Sequence, residues 1–228
     1  MNILAIETSH LVGSVALARD GQIVAEESFQ EGMVHGRELV PRLKDLVEHA
    51  GWSPSTLDLI AVSIGPGSYT GLRVGVMTAK TLAYATQTDV VAVPSLDVLA
   101  RNAPPEAETV CPVVDAKRKQ LYNCLYDGSR ERQGEFAVAY PEELAEDLPD
   151  GTLLLGDALE YYREVFSRPG LTVADEALWQ PRAAIVAELG YRLYQGGQRD
   201  SAMALAPLYL RRPEAEDRWR EKQVQEGR

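Results

Sequence analysis

A chain of 228 residues, 45% of them apolar, can bury the core of one large α/β domain or of two lobes, which predicts an ordinary folded protein. Its 34 Asp and Glu against 23 Lys and Arg leave a formal charge of −11, so the molecule as a whole repels polyanions, and nucleic acid would need a local patch or a basic partner. No basic leader with an apolar core opens the sequence and no run approaches about eighteen consecutive apolar residues, which predicts a cytoplasmic protein without a membrane segment.

The runs "NILAIET", "GSVALARDG" and "QIVAEESFQ" have β-type composition and are separated by short polar links, which predicts an antiparallel meander. Leu39, Leu43, Leu46, Val47 and Ala50 then recur at helical spacing, giving a helix over 34–50 that Gly51 ends. "LDLIAVSIG" reads as a buried strand and "GLRVGVMTAKTLAYAT" as a helix over 71–86. "DVVAVP" is a further strand, and "SLDVLARNA" a short helix with Ser95 as its N-cap. The paired prolines of "APPEAE" at 103–108 mark a boundary, dividing the chain into lobes at 1–103 and 104–211 with a charged tail at 212–228.

After that boundary "TVCPVVDAKRKQLYNCLYDG" repeats the layout of "NILAIETSHLVGSVALARDG". Each has an apolar strand ending in a carboxylate (Asp115 or Glu7), a polar link, a second strand and an Asp-Gly turn, so a duplication with two lobes facing a cleft is expected. "GTLLLGDALEYYREVF" continues as a strand that passes through Gly156 into a helix, and "PRAAIVAELGYRLYQGG" as a helix opened by Pro181. Cys111 and Cys124 fall in the two runs of the second hairpin and read as buried, reduced thiols, near neighbours across it.

The loop "SIGPGSYTGLRVG" at 63–75 is rich in glycine but matches neither the P-loop nor the dinucleotide fingerprint, since its third glycine, Gly71, comes one residue late. Gly65 and Gly67 permit a tight turn and Ser68 or Thr70 caps the next helix, while free N–H groups at that helix start leave an anion site as the other reading. Along the helix Gly71, Gly75, Ala79 and Ala83 form a four-residue ridge of small side chains. Such a ridge lets a neighbouring backbone come close, whether a partner's helix or the protein's own sheet. His10, His35 and His49 show no zinc spacing, and no nucleophile elbow or Cys-His signature is present. Glu7 and Asp115 could arrange a magnesium–nucleotide complex, as in a small actin-like ATP-dependent acyl or sugar kinase.

"ILAIETSHLVGSVAL", "SIGPGSYTGLRVG", "VPSLDVLA", "PVVDAKRKQLYNCLYDG" and "LAPLYLR" together resemble the TsaB (YeaZ) family over nearly the whole chain. The resemblance implies an α/β fold of two RNase H-like lobes of the actin-like ATPase superfamily. It implies a non-catalytic subunit with no cofactor or metal of its own, which dimerises with the paralogue TsaD and is joined by the ATPase TsaE in threonylcarbamoyl transfer to a tRNA adenosine (t6A). TsaD carries a metal-binding histidine pair one helical turn apart. Here "HGRELVPRL" has His35, but Leu39 stands in the second place. The resemblance further implies that the helices over 34–50 and 71–86 meet TsaD, with His35, Leu39, Gly71, Val74, Gly75, Thr78, Ala79, Leu82 and Ala83 at the contact. A homodimer through the same helices is expected when TsaD is missing, and direct tRNA binding is not expected of so acidic a subunit.

Overall fold

The computed structural model describes residues 1–29 and 35–211. The first half runs through strands β1 (Asn2–Glu7), β2 (Gly13–Arg19) and β3 (Gln22–Phe29), helix α1 (His35–His49), strand β4 (Leu59–Gly65), helix α2 (Tyr69–Thr86), strand β5 (Asp89–Pro94) and helix α3 (Ser95–Ala100). The second half follows with β6 (Thr109–Asp115), β7 (Leu121–Asn123), β8 (Tyr126–Asp127), β9 (Ala137–Ala139), α4 (Pro141–Asp147), β10 (Thr152–Leu155), α5 (Leu159–Tyr162), β11 (Leu171–Val173) and α6 (Ala183–Gln195).

The two sheets share one topology. The first is ordered β3-β2-β1-β4-β5 and the second β9-β7-β6-β10-β11, with β8 pairing β6 off that path. β1 pairs antiparallel with β2 and parallel with β4, as β6 does with β7 and β10. Glu7 and Asp115 close equivalent central strands, which is the duplication expected from their places in the two repeats.

The continuous apolar run of β1 reflects burial on both faces. Leu4 and Ile6 point into a core shared with α1 and α2, while Ile3 and Ala5 point into a core shared with α6. Gly190 of α6 lies so close to β4 that an added Cβ would stand 2.4 Å from that of Ala61. This corrects the expected lobe boundaries. The sequence reading gave 104–211 wholly to the second lobe, whereas α6 returns to the first sheet, and Leu208 N donates to Ile64 O at 2.7 Å beside β4. The tail at 212–228 lies outside the described residues.

Two local readings also change. Ser95 is the first residue of α3 rather than its cap, Pro94 taking the cap position. Its fully buried hydroxyl instead joins Ser63 Oγ at 2.6 Å and accepts from Gly65 N at 2.9 Å, tying the end of β4 to α3. Ser68 caps α2 by accepting from Gly71 N at 3.3 Å.

Cys111 and Cys124 are both free and buried. Burial pushes the Cys111 thiol far up, and pushes Cys124 up from 9.0 to about 11. Between these two values the unfolded chain releases the Cys124 proton while the folded chain keeps it. Stability therefore declines as pH rises from about 9 toward about 11. A Cys124→Ala variant is expected to show a shallower loss over that window in urea titrations at stepped pH, and an unchanged slope would refute the assignment.

Candidate functional site

Two regions of the fold carry the residues singled out by sequence: the cleft between the halves and the α1–α2 layer.

The cleft has a volume of about 530 Å³. Its floor is built by the glycine loop. Gly65 has φ +109, followed by a cis bond to Pro66, and a Cβ at Gly65 would lie 2.9 Å from Leu208 O. A Cβ at Gly67 would lie 2.4 Å from Ser9 O, the carbonyl that accepts from Ser68 N at 2.7 Å. The loop is thus pressed against the β1–β2 link. Its N–H groups at Gly65, Ser68 and Gly71 are bonded within the chain, as the turning role of the loop requires. Gly156, at φ +128, plays the same part opposite, since a Cβ there would meet Val113 O at 2.2 Å.

Asp115 lines this cleft, but its carboxylate is taken: Lys117 Nζ lies at 2.6 Å and Lys117 N donates to it at 2.7 Å. That hydrogen bond raises Lys117 above the ordinary lysine value, against the opposing effect of burial. Glu7 is fully buried and accepts from Ser9 N, and it is not a wall residue of the cleft. The two carboxylates therefore do not converge on one open position, which is what magnesium handling by a kinase would require. Among the described residues no group of three or more His, Cys, Asp or Glu side chains could hold a metal ion.

Sequence reasoning missed what spans the cleft mouth. Tyr209 stacks on Tyr69 with ring centroids 4.9 Å apart, and Arg73 lies 4.6 Å from the Tyr69 centroid on the ring face. Arg211 Nη1 donates to Ala116 O at 2.7 Å and Lys117 O at 3.2 Å. The segment held beside β4 by Leu208 is thereby latched to the β6–β7 link of the other half. The motif "LAPLYLR" was the visible signal, but its contacts lie across the fold.

On the helix layer the small-residue ridge turns inward. Gly71, Gly75, Ala79 and Ala83 are buried, and Leu39 is completely enclosed in the core beneath α1 and α2. A Cβ on Gly75 would sit 2.2 Å from Thr8 Oγ1, a hydroxyl that donates to Gly71 O at 2.8 Å. These five positions of the expected partner contact accordingly serve the protein's own sheet. Small side chains were needed because the end of β1 presses directly on α2. The side chain of His35 lies outside the described residues, while Val74, Thr78 and Leu82 are half-buried at the flanks of α2.

The outward side of α2 carries Met77, 60% exposed, and Tyr84, 65% exposed, seven residues apart and so on one face, and α1 adds Val40 at 58%. α1 packs alongside, close enough that a Cβ on Gly36 would lie 3.9 Å from Val74 Cγ2. No helix among the described residues is long and apolar enough to cross a membrane.

Comparison with known proteins places this architecture. The sequence model of the TsaD family, tRNA N6-adenosine threonylcarbamoyltransferase, matches residues 30–219. The chain is similar to the tRNA threonylcarbamoyladenosine biosynthesis protein TsaB of Bacillus subtilis, at 32% identity over 98% of this chain and all of that protein. It is also similar to TsaB of Escherichia coli, at 27% identity over 92% of this chain and 95% of that one. The solved structure of YeaZ from Pseudomonas aeruginosa superposes with a TM-score of 0.81 at 30% identity, covering 92% of this chain and 99% of that one. A ROK hexokinase from Thermus thermophilus shares the fold at 11% identity and a TM-score of 0.51, over 86% of this chain and all of that one. The paired sheets thus form the two RNase H-like lobes of the actin-like fold. From the family match across most of its length and the similarity to TsaB from end to end, the chain belongs to the TsaD family, in its TsaB (YeaZ) branch.

Proposed function

We propose that the chain acts by contact, as a non-catalytic subunit in t6A synthesis on tRNA, docking a TsaD-like paralogue through the outer side of α1 and α2 and supporting the approach of a TsaE-like ATPase. The observation that carries this reading is the exposure of three large apolar side chains, Met77 and Tyr84 on one face of α2 and Val40 on α1, on a helix pair whose inner side is already used by its own core. Val74, Thr78 and Leu82, half-buried, border that face and complete the contact. A charge of −11 suits a subunit that leaves tRNA to its partners, in the cytoplasm. The same face would serve a homodimer in the absence of the paralogue, because a surface fitted to a paralogue is fitted to a near copy of itself.

Co-elution of the purified chain with a TsaD-like paralogue on size exclusion is the expected result, and separate elution at micromolar concentrations would refute the docking. The kinase reading predicts tight nucleotide binding by the chain alone. With Asp115 held by Lys117 and Glu7 buried, calorimetry with ATP and magnesium is expected to give no saturable heat. Turnover of ATP with a small acyl or sugar acceptor would overturn the non-catalytic assignment.

A further inference from the structure

A second cleft, of about 440 Å³, opens between the C-terminal end of α3, the turn after β8 and the last turns of α6, and shares no wall residue with the first. Four arginines and two carboxylates line it, in a protein whose total charge is strongly negative.

Two of those arginines are fully engaged. Arg130 donates to the carbonyls of Ala103, Pro104, Ala107, Asp127 and Gly128, which fixes the turn it sits on. Arg132 grips Asp97 through contacts of 2.9 and 3.2 Å and lies on the Phe136 ring. Asp97 also accepts from Tyr126 Oη at 2.6 Å, so its carboxylate is already engaged by Arg132 and Tyr126. Arg101, just past α3, and Arg192, in the last turn of α6, are different. Neither guanidinium has a hydrogen bond or ion pair among the described residues. Glu188, Glu131 and Asp97 act on Arg101 only at longer range, while burial, and then the Arg192 charge, push it below the ordinary arginine value. Two like charges face one cavity, one of them half-buried with five N–H donors unused.

We propose that this cleft binds a phosphate group, held between the guanidinium groups of Arg101 and Arg192. Phosphate matches the pair in charge and in geometry, since a dianion neutralises both cations and its oxygens accept from both planar forks, whereas a lone carboxylate balances only one. Leu189, Leu193 and the buried Tyr126 form an apolar wall beside the arginines, and the volume exceeds that of bare phosphate. A phosphate monoester with a small organic body fits the space as inorganic phosphate fits the charges.

The test is calorimetric titration of the full chain with inorganic phosphate and, separately, with adenosine monophosphate, at constant ionic strength maintained with chloride. Both probes are expected to bind, with affinity falling roughly tenfold or more in Arg101→Gln and in Arg192→Gln, and less in Arg101→Lys. Tighter binding of the monophosphate would identify an organic ester as the ligand, and equal binding would identify free phosphate. Arg192 is exposed, so Arg192→Gln keeps the test decisive even if Arg101→Gln fails to fold. Absence of saturable heat for both probes, or affinities unchanged in Arg101→Gln and Arg192→Gln, would overturn the proposal. So would loss of binding in Arg211→Gln instead, which would put the phosphate in the first cleft.

Discussion

Replacing Gly75 by leucine is expected to prevent folding, not merely to weaken an assembly. A Cβ at this position meets Thr8 Oγ1 at 2.2 Å and Ile6 Cγ2 at 3.5 Å, and Thr8 cannot swing aside without giving up its bond to Gly71 O. Gly75→Ala alone should cost about 1–3 kcal/mol as an overpacked core contact. At roughly 2–4 °C of melting temperature per kcal/mol for a chain of this size, the alanine variant is measurable by thermal circular dichroism, whereas leucine adds three further heavy atoms to the same closed space. A native melting temperature for Gly75→Leu would mean that α2 does not lie against the end of β1 as described.

The opposite pattern is expected of Met77→Asp combined with Tyr84→Asp. Both side chains are majority-exposed, so the melting temperature should stay close to that of the parent, as surface changes usually alter stability by less than about 0.5 kcal/mol. Binding of the TsaD-like paralogue should fall roughly a hundredfold or more, because each aspartate buries a charge without a counter-ion in the middle of an apolar contact. An undiminished complex from a folded double variant would remove the outer side of α2 from the interface. The contrast with Gly75→Leu matters because both variants would abolish co-purification, and only the melt separates a lost surface from a lost fold.

The two-fold repeat was legible because it is local in sequence. Two central strands, each apolar and each ending in a carboxylate, keep their pattern at Glu7 and Asp115 whatever packs on them. The inward turn of the Gly71–Gly75–Ala79–Ala83 ridge was not legible, since a four-residue ridge has the same spacing whether it meets a partner or the chain's own sheet, and the deciding contact, Thr8, is more than sixty residues away. The return of α6 to the first sheet was hidden for a similar reason. Its buried side, Ala183, Val186, Ala187 and Gly190, is small enough to fit either sheet, and the residues that receive it, among them Ile3, Ala5, Ala61 and Val93, lie about ninety or more positions away in sequence. Strands β8, β9 and β11, two or three residues long, are too short to develop the alternation by which a strand is recognised. The unpaired arginines of the second cleft come from segments some ninety residues apart, so the sequence holds no sign of their meeting.

Met77 and Tyr84 carry side chains that react readily with hydroxyl radicals, and footprinting the chain alone and in the presence of the TsaD-like paralogue reads their exposure directly. Several-fold protection of both residues in the mixture, with exposed Tyr161 on the other half unchanged, is the predicted result. Equal modification of Met77 and Tyr84 in a mixture that elutes as one complex would place the docking surface elsewhere and contradict the account.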